Sequence, residues 1–267
     1  MWNLDLFRKD VHVSVLGSGS RGNASVVWSG DDAVLVDCGF STREIERRMR
    51  QVGVPLSSLR GVLVTHEHGD HIGGAPALAR QLGLPVHLTA AARRMSKFGP
   101  EVAVEIVQPG RAFSLGRLQI EPFRVPHDTV DTLGFVVGAG PHRVGFATDM
   151  GSIQRSVVEI LKSCRAVLLE FNHDEHMLWS GDYPDFLKER VAGDRGHLSN
   201  RQGAELLSAL TGSRVEHVLL GHLSGQNNEP RLALGAARQA LRAQGAEEIS
   251  LTVASQEGAT KVIGLTD

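Results

Sequence analysis

Only two cysteines, Cys38 and Cys164, occur in 267 residues, too few for a disulfide framework, so the chain must be held by a packed core. Both read as reduced, buried thiols of a cytoplasmic protein. No apolar stretch approaches the roughly 20 residues a membrane-spanning helix requires, which sets a membrane-spanning role aside. The opening segment from Met1 to Asp10 scatters charges among its apolar residues and lacks an uninterrupted apolar run before a small-residue cleavage site, so no secretion signal is expected. Charge of either sign is not in excess. With 28 Lys and Arg against 30 Asp and Glu and a pI near 6.6, no global field draws in nucleic acid or an anionic membrane. Any polyanion must be held by a local patch or by metal. Repeats, low-complexity tracts and linker-like stretches are missing too, so residues 1–267 are expected to form one domain, with the oligomeric state left open.

Apolar residues make up 42% and charged residues 22%, enough to bury a large core. Short β-rich runs at Val11–Leu16, Ala24–Trp28 and Ala33–Asp37 suggest a meander opening a sheet. Ser41-Thr42-Arg43-Glu44 then caps a helix with Ile45, Met49 and Val52 at helical spacing, stopped by Gly53 and Pro55. A strand at Val62–Thr65, a helix at Ala75–Leu82, a strand at Val86–Leu88 and a helix at Ala90–Lys97 complete a βαβα passage. Strands at Val102–Val107, Leu118–Val125, Leu133–Val137 and Arg143–Ala147 read as a second sheet. Helices return at Ile153–Lys162, Pro184–Val191, Asn200–Leu210 and Arg231–Ala243, between strands at Ala166–Phe171, Val215–Leu220, Ile249–Val253 and Lys261–Leu265. Two sheets face to face with helices on their outer sides make an α/β, four-layer αββα sandwich.

Directly after Val62-Leu63-Val64 comes Thr65-His66-Glu67-His68-Gly69-Asp70-His71, three histidines and an aspartate within six positions. Borderline-soft divalent ions take imidazole nitrogen and carboxylate oxygen, and a tight turn leaving a strand can aim such ligands at a common point. His66 and His68 would face one ion and Asp70 and His71 a second, with Asp70 also able to orient a water between them. Three later residues stand at strand ends and can close the two shells: His127 after Val125-Pro126, Asp149 after Val144–Ala147, where a carboxylate could bridge both ions, and His222 after Val218–Gly221. The donor set admits zinc or manganese alike.

These motifs resemble those of the metallo-β-lactamase-fold hydrolases, from about Val11 to Leu265. The resemblance implies His66, His68 and His127 on one ion, Asp70, His71 and His222 on the other, and Asp149 shared. Lactamases proper tend to place a cysteine where Asp149 stands, and the harder oxygen donor favours phosphate esters. Leu168–Asp174 and Gly196–Asn200 look like phosphodiesterase features, and by resemblance Glu170 orients His197, which protonates the leaving oxygen. A carboxylate bonded to an imidazole raises the fraction carrying a donatable proton near neutral pH. The combination of Gly17–Asn23, Asn172-His173-Asp174, Gly196–Asn200 and Gly221-His222-Leu223-Ser224 with Asn227-Asn228 resembles the YycJ-like (WalJ) group. Phe171 departs from it, standing where a small residue is expected. The group implies a two-metal DNA exonuclease in which a bridging hydroxide near Asp70 attacks phosphorus. Hydrolysis of cyclic phosphodiesters or thioesters, and a non-catalytic metal-binding module, are the rival readings.

Gly17–Asn23 could hold phosphate oxygens through its amides and Ser18, Ser20 and Asn23, or be a tight turn in the meander. Asn227 and Asn228 could bind a phosphate or form the turn before Pro230. Arg43, Arg47 and Arg50 share one helical face and Arg93, Arg94 and Lys97 form another cluster, either able to touch DNA phosphates or to remain a solvated surface. His12, His87, His142, His176 and His217 have no ligand context. His173 stays open.

Overall fold

A computed structural model of the chain describes residues 10–267; residues 1–9, which carry most of the secretion-signal reading, lie outside the described residues. The strands are β1 (Val11–Gly17), β2 (Ala24–Ser29), β3 (Asp32–Val36), β4 (Leu59–Leu63), β5 (Val86–Leu88), β6 (Val104–Ile106), β7 (Phe113–Leu115), β8 (Leu118–Arg124), β9 (Leu133–Ala139), β10 (His142–Ala147), β11 (Ala166–Glu170), β12 (His217–Gly221), β13 (Ser250–Val253) and β14 (Ile263–Leu265). The helices are α1 (Thr42–Gln51), α2 (Gly69–Ile72), α3 (Ala75–Leu82), α4 (Ala90–Met95), α5 (Arg155–Leu161), α6 (Glu175–Ser180), α7 (Asp185–Ala192), α8 (Asn200–Leu210) and α9 (Pro230–Gln244).

One sheet runs β14-β1-β2-β3-β4-β5-β6 and the other β13-β12-β11-β10-β9-β8-β7. Each is antiparallel on one side and parallel on the other. The period of two in side-chain direction sorts each strand between two cores. Val34 and Val36 of β3 and Leu168 of β11 pack between the sheets with Phe135, Val137 and Phe146. Their neighbours face outward: Ala33 and Leu35 onto Ile45, Met49, Leu78 and Ala92 of α1, α3 and α4, Val167 and Leu169 onto Val157, Leu161, Leu206 and Leu241 of α5, α8 and α9. Strands buried on both faces read as continuous apolar runs, as Ala166–Leu169 does. The result is the four-layer αββα sandwich.

One strand lies elsewhere than expected. Val102–Val107 read as part of the second sheet, but β6 pairs in parallel with β5, Val86 opposite Val104, at the edge of the first. Alternation marks a strand without saying which sheet receives it, and the α4 crossover delivers this one back beside β5. β14 likewise returns to the first sheet against β1. The short elements α2, α6 and β7 lie outside the expected set. Both thiols are buried, and burial pushes Cys38 up to about 12 and Cys164 to about 11. No helix among the described residues is long and apolar enough to cross a membrane.

Arg48, between the arginines singled out in the sequence, is the buried one. It donates from Nε to Glu44 Oε1 (2.6 Å), from Nη1 to Leu16 O (2.7 Å) and from Nη2 to Gln256 O (3.1 Å), and lies over the Phe40 ring. It thus ties α1 to the end of β1, where the loop supporting the candidate site begins. Arg48→Met leaves two carbonyls without their charged donor and is expected to lower stability by about 2–4 kcal/mol. The midpoint and slope of urea unfolding measure this, and a loss below about 1 kcal/mol would show the tie to be dispensable.

Candidate metal centre

The C-terminal ends of β3, β4, β8, β10, β11 and β12 meet along one edge of the sandwich. The parallel register sets them level: Val36 pairs with Leu63, and Glu170 with Gly221. Three residues just past these ends, Asp37 (φ 61), Asp149 (φ 56) and His222 (φ 54), occupy the left-handed region that non-glycine residues rarely adopt. Backbone held there by its surroundings turns a side chain back over the strand ends.

After β4 the chain makes one turn of helix, α2, with His71 N bonded to His68 O at 2.9 Å. That turn brings His66, His68, Asp70 and His71 to one spot. Gly39 permits the fit, because a Cβ there would meet the Asp70 carbonyl oxygen at 1.8 Å. Asp37 anchors the turn: it accepts from Thr65 N and Thr65 Oγ1, both at 2.9 Å, and from His71 Nδ1 at 2.8 Å. Thr65 Oγ1 accepts in turn from His66 Nδ1 (3.0 Å).

The later histidines are oriented in the same manner. His127 Nδ1 donates to Gly196 O (3.1 Å), and His222 Nδ1 to Glu170 Oε1 (3.0 Å). In each ring the bonded Nδ1 fixes the orientation and turns Nε2 toward the cluster, where it can serve as a lone-pair donor once it carries no proton. His66, His68 and His127 form one cluster and Asp70, His71 and His222 another. His66 Nε2 and His68 Nδ1 are 2.9 Å apart, a spacing that suits two nitrogens aimed at one ion. Asp149 stands between the clusters, 3.9 Å from His127 Nε2, 3.4 Å from His71 Nε2 and 3.5 Å from His222 Nε2.

His127 Nε2, His222 Nε2 and Asp149 Oδ2 are buried with no hydrogen-bond partner. Such atoms cost free energy unless something satisfies them, and imidazole and carboxylate donors converging on one point fit a divalent cation. Glu170, fully buried, accepts at Oε1 from His197 Nδ1 (2.8 Å) as well as His222, and at Oε2 from Met150 N (2.7 Å) and Leu198 N (3.2 Å). His197 is partly exposed in the cleft above, 3.8 Å from Asp149. Every residue singled out as a ligand or catalytic group thus lies in this one constellation.

Several supporting residues escaped the sequence reading. Asp37 has a signal, an acid ending the apolar run Val34-Leu35-Val36. Ser18 and Asn23 do not face a phosphate: Ser18 Oγ accepts from His222 N (2.8 Å) and donates to Asn23 Oδ1 (3.0 Å), and Asn23 Nδ2 donates to Asp70 Oδ2 (3.2 Å). Ser20 alone of the three lines the cleft. Asn228 is tied to Phe171 O, Asn172 O and Asn200, whereas Asn227 lines the cleft. Arg47 and Arg50 pair with Glu44 and Glu46, and neither basic cluster lines the cleft; Arg190 does. His173 is buried beside the site, and burial lowers it to about 4.

The two clusters differ electrostatically. Burial holds His66 well below its ordinary value and lowers His127, so these rings are neutral. Burial also opposes charge on His71 and His222, but Asp149 and Asp37 outweigh it for His71, and Asp149, Asp70 and Glu170 raise His222 to about 10. Asp70 is lowered correspondingly by His222 and His71, against its own burial.

A family model described as a beta-lactamase superfamily domain matches residues 32–223. Exodeoxyribonuclease YycJ of Bacillus anthracis is 32% identical over 88% of this chain and 90% of that protein. Exodeoxyribonuclease WalJ of Streptococcus pneumoniae is 34% identical over 82% of this chain and 84% of that one. Among solved structures, the metallo-beta-lactamase fold protein YhfI from Bacillus subtilis matches with a TM-score of 0.72 at 19% identity, covering 97% of this chain and 100% of that chain. This last likeness concerns the fold.

A cation entering the Asp70, His71 and His222 cluster must displace imidazolium protons; one entering the three-histidine cluster meets neutral His66 and His127 rings. Zinc saturation of metal-stripped protein at pH 7 is expected to release at least about one proton per molecule, and fewer in His222→Gln. Calorimetry in two buffers of different ionisation enthalpy reads this, and a wild-type release near zero would contradict it. The raised value of His222 also means that metal-free protein has its full contribution below about 6.5 and loses it as pH rises through about 10.

Proposed function

This chain belongs to the β-lactamase superfamily of metal-dependent hydrolases, and from that membership we propose that it is a two-metal phosphodiesterase that removes nucleotides from DNA ends. Its relatives in Bacillus anthracis and Streptococcus pneumoniae bear the name exodeoxyribonuclease. The observation that carries the reading is Glu170 Oε1 at 2.8 Å from His197 Nδ1, an imidazole backed by a buried carboxylate beside two converging donor clusters. Hydrolysis of a phosphodiester expels an alkoxide, which needs a proton, and His197 is placed to give one.

Two divalent cations, zinc or manganese, held by His66, His68 and His127 and by Asp70, His71 and His222 with Asp149 shared, would supply Lewis acidity toward the scissile phosphate and activate the attacking water. Asp70 Oδ2, fixed by Asn23, orients that water. Glu170 holds His197 through Nδ1, so that Nε2 presents its proton to the cleft. Glu170 does the same for His222, so one carboxylate sets a ligand and the proton donor at a constant separation. The scissile phosphate would enter the cleft, which Ser20, Asn172 and Ser224 help to line. Buried unpaired thiols and a DNA substrate fit a cytoplasmic location.

Asp70→Asn is expected to abolish release of nucleotides from end-labelled DNA while urea unfolding of the metal-stripped protein stays cooperative. Unchanged release would refute the mechanism. His197→Ala is expected to lower kcat about 10²- to 10⁴-fold on DNA. With thymidine 5′-(p-nitrophenyl phosphate), whose leaving group departs without a proton, the same substitution should cost less than tenfold. Equal losses on both substrates would remove His197 from the role of acid.

A further inference from the structure

Of the five imidazoles in the two candidate clusters, four are held from behind. His66, His71, His127 and His222 bond through Nδ1 to Thr65 Oγ1 (3.0 Å), Asp37 Oδ2 (2.8 Å), Gly196 O (3.1 Å) and Glu170 Oε1 (3.0 Å), which turns Nε2 of each toward the clusters. His68 is reversed. Its Nδ1 faces His66 Nε2 at 2.9 Å, so Nε2 is the nitrogen left over, and a ligating ring gives that proton to an acceptor. Packing does not hold this ring either, since 37% of the His68 side chain is exposed where the other four are buried.

The acceptor in reach is Asp128. Its Oδ1 lies 3.6 Å from His68 Nε2, just beyond hydrogen-bond length, and accepts no hydrogen bond among the described residues; His127 Nε2 is 3.2 Å from the same oxygen without bonding to it. Asp128 belongs to neither compact donor cluster. Its other oxygen is taken, because Arg190 in the last turn of α7 donates to Oδ2 from Nε (2.7 Å) and Nη2 (2.5 Å). α7 is fixed in turn, with buried Lys188 donating from Nζ to Trp179 O of α6 at 3.0 Å. The segment after α7 grips the same loop, with Arg195 Nε on His127 O at 3.1 Å. Asp128 is therefore steadied through Oδ2, and Oδ1 stays free on the side of His68.

We propose that Asp128 is the positioning residue of His68: when a cation sits on Nδ1, His68 donates from Nε2 to Asp128 Oδ1, and Arg190 steadies that carboxylate from α7. This rests on the reading above that places a cation on His66, His68 and His127. A carboxylate behind an imidazole fixes the ring and raises its basicity toward a metal. The arrangement adds little to folding, because Arg190, 59% exposed, and His68 lie at the rim of the cleft where solvent screens charges. Its effect is read in metal affinity.

The test is the pair of stepwise zinc dissociation constants of the full-length protein, measured by competition with a chromophoric chelator. Asp128→Ala is expected to weaken one ion about ten- to a hundredfold, the same ion that His66→Gln weakens, and to leave the other within about threefold. Arg190→Met should weaken that ion too, but less, since the carboxylate remains. In zinc-loaded protein labelled with 15N at histidine, the His68 Nε2 proton, identified by its loss in His68→Gln, should be protected from solvent exchange in wild type and unprotected in Asp128→Ala. Both constants within twofold of wild type in Asp128→Ala overturn the proposal. So does equal weakening of both ions with a lowered urea midpoint of the metal-stripped protein, which would make Asp128 a structural residue, and so does a wild-type His68 proton that exchanges freely. Uptake of only one zinc ion by wild-type protein refutes the two-metal reading, whereas the proposal then stands or falls on whether Asp128→Ala weakens that ion. Neither measurement uses DNA, so both are decided separately from the nuclease reading.

Discussion

Two buried carboxylates, Asp37 at the end of β3 and Glu170 at the end of β11, govern the geometry of the candidate centre. Each takes a hydrogen bond from the Nδ1 of an imidazole, His71 and His222 respectively, and so turns the far nitrogen toward a common point. One belongs to each sheet. A buried anion is tolerated only when its lone pairs are occupied, and Glu170 satisfies that with four donors from the residue after β12, the loop before α5 and the segment before α8. The sandwich supplies those donors because its parallel strands end level.

That constraint explains features that look unrelated. Left-handed backbone at Asp37, Asp149 and His222 is the cost of turning three side chains back across strand ends. Gly39 is needed because the β3–α1 loop runs into the Asp70 carbonyl. The Gly17–Asn23 loop gives its polar atoms to the protein, since His222 N and the Asp70 carboxylate both require a partner there. Arg48 then holds the start of that loop from behind. A cation at the Asp70, His71 and His222 cluster would displace protons there, so metal loading, protonation and stability would be linked.

Much of the fold was legible in the sequence, because both periods are local. The alternation in Val34-Leu35-Val36 and the spacing of Ile45, Met49 and Val52 announce strand and helix without reference to anything distant. The sheet that β6 joins was not legible: pairing depends on where a crossover ends, and Val104–Ile106 carries no mark of its partner. Nor was α6, six residues whose Glu175, His176 and Ser180 hide a helix held by an Asp174 cap and by Lys188. In the candidate site, closely spaced histidines were visible at once. Asp37 was missed since a lone acid after a strand is ordinary, and for Ser18 and Asn23 the glycine-rich setting left a phosphate loop and a tight turn equally open, because it carries no mark of the distant His222 and Asp70 that they bond.

The sequence by itself determined the element types, the αββα layering and the donor chemistry, since these follow from residue identity and short-range spacing. Tertiary structure decided which donors meet, because residues from Asp37 to His222 converge only through strand pairing. It also decided which way the imidazoles face, through partners at neighbouring strand ends of the same sheet, Asp37 for His71 and Glu170 for His222, or on a distant loop, Gly196 for His127. Finally, it decided that Tyr183, Leu187 and Arg190 line the cleft, a placement fixed by the docking of α6 and α7 that no local pattern records.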